Sequence, residues 1–112
     1  MQAGTSVANV IYDQIKAGMG IDGTAGQVCM MAWGATDFSA YNVESEKDQG
    51  HLTFKVSGAK FKGTVKVRLM WNDTYTVELW RVRAGNVKML NSRDDVHWDF
   101  LTGTIDHLVE TD

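Results

Sequence analysis

The chain has 112 residues, 44% of them hydrophobic and 22% charged, with a net charge of −3; the length suits one domain with a real core, and the balance excludes an intrinsically disordered chain. A lone cysteine, Cys29, excludes an intrachain disulfide, and no apolar stretch approaches the roughly 20 residues of a membrane span. The opening Met1-Gln2-Ala3-Gly4-Thr5-Ser6 lacks the basic segment and apolar run of a signal peptide, so a reducing, cytoplasmic setting is expected and the Asn72-Asp73-Thr74 sequon is idle.

Residues Ser6 to Ala17 read as an amphipathic helix, because Val7, Ile11 and Ile15 recur at four-residue spacing. Thr5 or Ser6 can cap its first turn and Gly18 suits the position past its last. Gly18 to Gly26 contains a literal G-x-G-x-x-G at Gly18, Gly20 and Gly23. A dinucleotide site needs a strand before those glycines and a helix after them; here a helix precedes them, so the match is accidental and the segment reads as a flexible connection. Val28 to Trp33 is a continuous apolar run that periodicity assigns equally to a buried strand or a helical turn. Asp37 to Tyr41 reads as a short extended piece and the acidic Glu44 to Gly50 as a loop.

A meander of three strands follows. His51 to Ser57 alternates, with Leu52, Phe54 and Val56 on the apolar side; Gly58 to Gly63 turns; Thr64 to Trp71 alternates again with Val65, Val67, Leu69 and Trp71 inward; and Thr74 to Arg83 is the third strand. Keeping the faces consistent requires an odd-length loop. Asn72-Asp73-Thr74 as that loop sets Trp71 opposite Tyr75, Arg68 opposite Glu78 and Lys66 opposite Trp80. Ser92-Arg93-Asp94-Asp95 resembles a capping box, and Trp98, Leu101, Ile105, Leu108 and Val109 trace a helical stripe after it. The expected fold is a single α+β domain over residues 1–112, with an antiparallel sheet of three to five strands. An N-terminal and a C-terminal helix pack on one face of that sheet.

Catalytic machinery is not recognisable. Cys29 lies in the apolar run, where burial makes a thiol inert. His97 and His107 are ten apart on the predicted final helix, about 15 Å along its axis and too far to share an ion. No Cys/His pair has zinc spacing. Asp106 and Glu110, one turn apart, fit a solvated helix face. No cofactor and no metal are expected, and the chain reads as a non-enzymatic protein.

The charge distribution is more informative. Between His51 and Arg93 nine basic residues face only Asp73 and Glu78, a net +7 that leaves −10 for the rest of a chain of net −3. The sheet's polar face combines Lys55, Lys66 and Arg68 with Met70 and Trp80. Trp, Met and Arg are anchors of protein–protein contacts, while cations beside an exposed aromatic also suit a single-stranded nucleic acid. The leading expectation is a protein partner on this face, a homodimer included. A nucleic acid is the alternative, and no membrane partner is expected.

Several stretches together resemble a family of small uncharacterised accessory proteins carried by phages and other mobile elements. They are Val10 to Ile15, Trp33-Gly34-Ala35, Gly50 to Val56, Asp73 to Leu79 and Asp95-Val96. The glycine-rich segment Gly18 to Gly26 and the acidic Glu44 to Gln49 are long for that family. The resemblance carries over no catalytic residue. It implies a protein that binds a host or phage protein, for example to interfere with a host defence.

Overall fold

The computed structural model describes residues 5–41 and 48–111. Helix α1 (Thr5–Ala17) buries Ala8, Ile11 and Ile15 on one side and leaves Val10 outside. The glycine-rich segment after it is a closed loop rather than a flexible connection. Met19 and Ala25 form an antiparallel bridge; the Gly20 N–H donates to the Thr24 carbonyl at 2.8 Å and the Gly26 N–H to the Gly18 carbonyl at 2.8 Å. Close approach demands glycine at two of these positions: a methyl group at Gly26 would overlap the Ile15 carbonyl oxygen, and one at Gly18 the Thr102 hydroxyl.

Helix α2 (Gly26–Ala32) settles the apolar run as helical. Cys29, Met30 and Trp33 turn inward at three- and four-residue spacing while Val28 and Met31 face out. Good helix formers, Met30, Met31 and Ala32, fill a segment too short to reach across a sheet. Burial, and secondarily the nearby Asp106 carboxylate, push the Cys29 thiol pKa up.

Five strands follow: β1 (Thr36–Tyr41), β2 (Asp48–Ser57), β3 (Lys62–Met70), β4 (Tyr75–Arg83) and β5 (Asn86–Val96). They form one antiparallel sheet in chain order. Asp48 to Gly50, expected in the acidic loop, begin β2 and pair with β3; the earlier part of that expected loop lies outside the described residues.

The β3–β4 hairpin has the odd-length loop that face consistency requires, but the loop is Trp71-Asn72-Asp73 rather than Asn72-Asp73-Thr74. Leu69 therefore sits opposite Tyr75 and Lys66 opposite Glu78, not Trp71 opposite Tyr75 and Arg68 opposite Glu78. The reason is local. Asp73 takes the left-handed backbone at φ 64°, which an aspartate tolerates better than the β-branched Thr74. The Asn72 carboxamide oxygen then accepts from the Thr74 N–H at 3.2 Å and its hydroxyl at 2.7 Å. Trp71 leaves the apolar side and is 51% exposed.

The capping-box reading of Ser92 to Asp95 is overturned, because these residues continue β5. Ala84 and Gly85, both at positive φ, make a two-residue turn closed by Arg83 opposite Asn86. Pairing with β4 then claims the segment before it can start a helix. A 3-10 turn at Trp98–Phe100 leads into helix α3 (Leu101–Glu110). Trp98, expected in the helical stripe, points outward, whereas Leu101, Ile105, Leu108 and Val109 are buried.

Both long helices bury their apolar sides with Leu52, Phe54, Val56, Val65, Val67, Val77 and Leu79, so one sheet face is covered and the other is open. Two polar side chains of α3 lock the helical layer. The Thr102 hydroxyl donates to the Ile15 carbonyl at 2.8 Å. Asp106, expected on a solvated helix face, is buried. Its Oδ1 accepts from the Trp33 indole N–H at 2.9 Å and its Oδ2 from the Ile21 N–H at 3.1 Å. One carboxylate thereby ties α3 to α2 and to the glycine-rich loop. No helix among the described residues is long and apolar enough to cross a membrane.

Candidate functional site

Strand alternation sends His51, Thr53 and Lys55 of β2 to the open face, with Thr64, Lys66, Arg68 and Met70 of β3 beside them. Glu78, Trp80 and Val82 of β4 and Val87 and Met89 of β5 complete that face. Near its middle lies a charge network. The Arg68 Nε donates to Glu78 Oε2 at 3.2 Å, and an Nη of the same guanidinium donates to Asp48, whose side chain is only 2% exposed. Glu78 Oε1 also accepts from the Trp80 indole N–H at 2.9 Å. The Lys66 ammonium lies over the Trp80 ring, 5.2 Å from its centroid.

This geometry gathers three of the five residues singled out from the sequence. Lys66, Arg68 and Trp80 converge on Glu78, whereas Lys55 is drawn to the β1 side by Asp37 at 3.5 Å and Met70 sits at the hairpin end opposite Asp48. Two chemical consequences follow. Arg68 already holds two carboxylates, so its charge is spent inside the protein. One side of the indole is covered by Lys66, which narrows the platform available to a stacking base.

His51 flanks the network, with Nδ1 3.9 Å from Asp48 Oδ2. Burial, then the Lys66 and Arg68 charges, hold its pKa below the ordinary 6.5. The unfolded chain therefore takes up this proton first as the pH falls, and the folded state loses stability from about pH 6.5 down to the lowered folded value. A urea midpoint that declines from pH 7.5 to pH 5, less steeply in His51→Gln, is the expected result; equal slopes in both proteins would refute it.

Beyond Trp80 the open face becomes apolar. Trp80 pairs with Met89 and Val82 with Val87 across the β4–β5 hairpin, and Val82 and Val87 are 60% and 62% exposed. Sequence reasoning missed this strip because it ended the meander at Arg83. The signal was present in the Ala84-Gly85 turn followed by Val87 and Met89 at alternate positions. At Ser92 the backbone of β5 is engaged by neighbouring side chains. Asn91 Oδ1 accepts from the Ser92 N–H at 2.8 Å and from the Arg93 guanidinium at 2.8 Å, which itself donates to the Ser92 carbonyl at 3.0 Å. Such local capping discourages pairing with a further strand at that residue.

Among the described residues no group of three or more His, Cys, Asp or Glu side chains is placed to hold a metal ion. The arrangement on the open face supplies contact area and fixed charges. No family model matches the chain, and no curated protein or solved structure matches it.

Proposed function

We propose that this chain is a non-enzymatic binding protein that docks a protein partner on the open face of its sheet. The observation that supports the reading is the exposed strip Val82, Val87 and Met89, continuous with the half-buried Trp80 and beside a charge network. Exposed apolar side chains next to fixed polar groups have the composition of a contact core with a polar rim. The resemblance to accessory proteins of mobile elements suggests a host or phage protein as the partner, with interference in a host defence as one role. A nucleic acid is a weaker reading of the same face, because Arg68 is engaged by Asp48 and Glu78.

Val82→Glu combined with Met89→Glu tests the proposal, since both side chains are exposed and lie outside the core. A partner captured by the wild-type chain, then purified and titrated, is expected to bind the variant at least about 30-fold more weakly, equivalent to about 2 kcal/mol. Light scattering of the chain alone shows whether the partner is a second copy. Unchanged affinity and unchanged oligomeric state in the variant would sink the reading.

A further inference from the structure

The far end of the sheet carries a second feature, distinct from the strip and sharing only Val82 with it. Strands β3 and β4 are paired only as far as Thr64 opposite Trp80. Beyond that point β3 continues to Lys62 along β2, and β4 continues to Arg83 along β5. The two strands part, leaving a cleft of about 530 Å³ whose lining combines Lys55, Lys62, Thr64, Arg81 and Arg83 with Val56, Val82 and Gly63. This volume lies in the range of small-molecule sites. Gly63 is packed tightly at this point: a Cβ there would stand 2.6 Å from both the Phe61 ring and the Trp80 carbonyl oxygen, so only glycine fits.

The cations in this cleft are poorly compensated. Among the described residues, Asp37 is the only carboxylate in ion-pair range of any of the four, 3.5 Å from Lys55. Arg81 lies directly opposite Lys88, another cation, across the β4–β5 pair. Like charges facing each other across strands are destabilising. Arg81 is also held in place, its guanidinium 5.8 Å from the Phe61 ring centroid, so little freedom is lost when it meets a ligand. A cleft that sets four cations and one hydroxyl beside two valines is chemically complementary to a compact group with several negative oxygens.

We propose that the cleft between the parted ends of β3 and β4 binds a compact oligophosphate anion, with Lys62, Arg81 and Arg83 as its principal contacts. The anion relieves the crowding of like charges, so it stabilises the fold as it binds.

Sodium tripolyphosphate is the probe, followed by calorimetric titration and thermal melting of the full chain at about 50 mM and about 300 mM salt. Saturable one-to-one binding that raises the melting temperature and weakens with salt is expected. Lys62→Glu plus Arg83→Glu should raise the dissociation constant at least about tenfold. A control of equal charge change on remote surfaces, Lys16→Glu plus Arg93→Glu, should shift it by less than about threefold. Absence of saturable binding, or equal losses in the two double variants, would overturn the assignment. Tighter binding of single-stranded oligothymidine than of tripolyphosphate, lost in the cleft variant, would also overturn it by transferring the cleft to nucleic acid. The strip variant Val82→Glu plus Met89→Glu adds two negative charges close by, so protein docking is scored with the cleft variant instead. Retained partner affinity there, with lost tripolyphosphate binding, separates the two sites.

Discussion

Asp106→Ala is expected to destabilise the fold by about 4 kcal/mol, because two hydrogen bonds to a charged acceptor are lost at once. The buried Trp33 indole N–H and the part-buried Ile21 N–H both end on this carboxylate. A fall in melting temperature of roughly 15 °C or more follows for a domain of this size. Asp106→Asn is a sharper probe. Its amide offers one acceptor and one NH₂ to two donors, so one of the two meets a donor instead, and a loss of about 2 kcal/mol is expected. Urea denaturation of the three proteins measures both values. A cost below about 1 kcal/mol for the alanine variant would show that the carboxylate is dispensable.

Arg68→Met should cost about 3 kcal/mol, as removing one partner from a buried ion pair typically does. The loss arises at Asp48, which is nearly inaccessible and is deprived of its guanidinium, and secondarily at Glu78. Asp48→Asn in the same chain removes the carboxylate charge that Arg68 balanced and is expected to recover at least half of the lost stability, a coupling that a double-mutant cycle reads directly. Additive losses in the double variant would mean that the pair contributes no mutual stabilisation.

Much of the fold was legible because burial follows simple periods. Ile11 and Ile15 on one helix side, and Leu52, Phe54, Val56, Val65 and Val67 at alternate positions, needed no knowledge of their neighbours. What was not legible depended on competition between local signals and pairing. Ser92 to Asp95 has the residue types of a helix start, yet β4 offered it a hydrogen-bonding edge. The hairpin register turned on whether Asp73 or Thr74 would take a positive φ, a choice worth one residue of sequence and two of register. Asp106 read as a surface carboxylate because its partners, Ile21 and Trp33, lie 85 and 73 residues away. On the open face, the types of Lys66, Arg68 and Trp80 were readable, but their mutual engagement through Glu78 was not. The apolar strip was hidden for the same reason as β5 itself.

The latch formed by Thr102 and Asp106 has a consequence for the chain while it is being made. Each strand of the sheet pairs with its immediate successor, so hairpins can close as they leave the ribosome. The latch instead joins residues 87 and 85 positions apart. At synthesis rates of about 5–20 residues per second, Ile15 and Ile21 wait several seconds for their partners in α3. Through that interval the nascent helix α1 and its glycine-rich loop lack their final clasp, and the apolar side chains of Ile11 and Ile15 are open to chaperones and proteases. Slowing translation between Trp33 and Thr102 lengthens that exposure, so yield of the folded chain becomes a matter of timing as well as of stability.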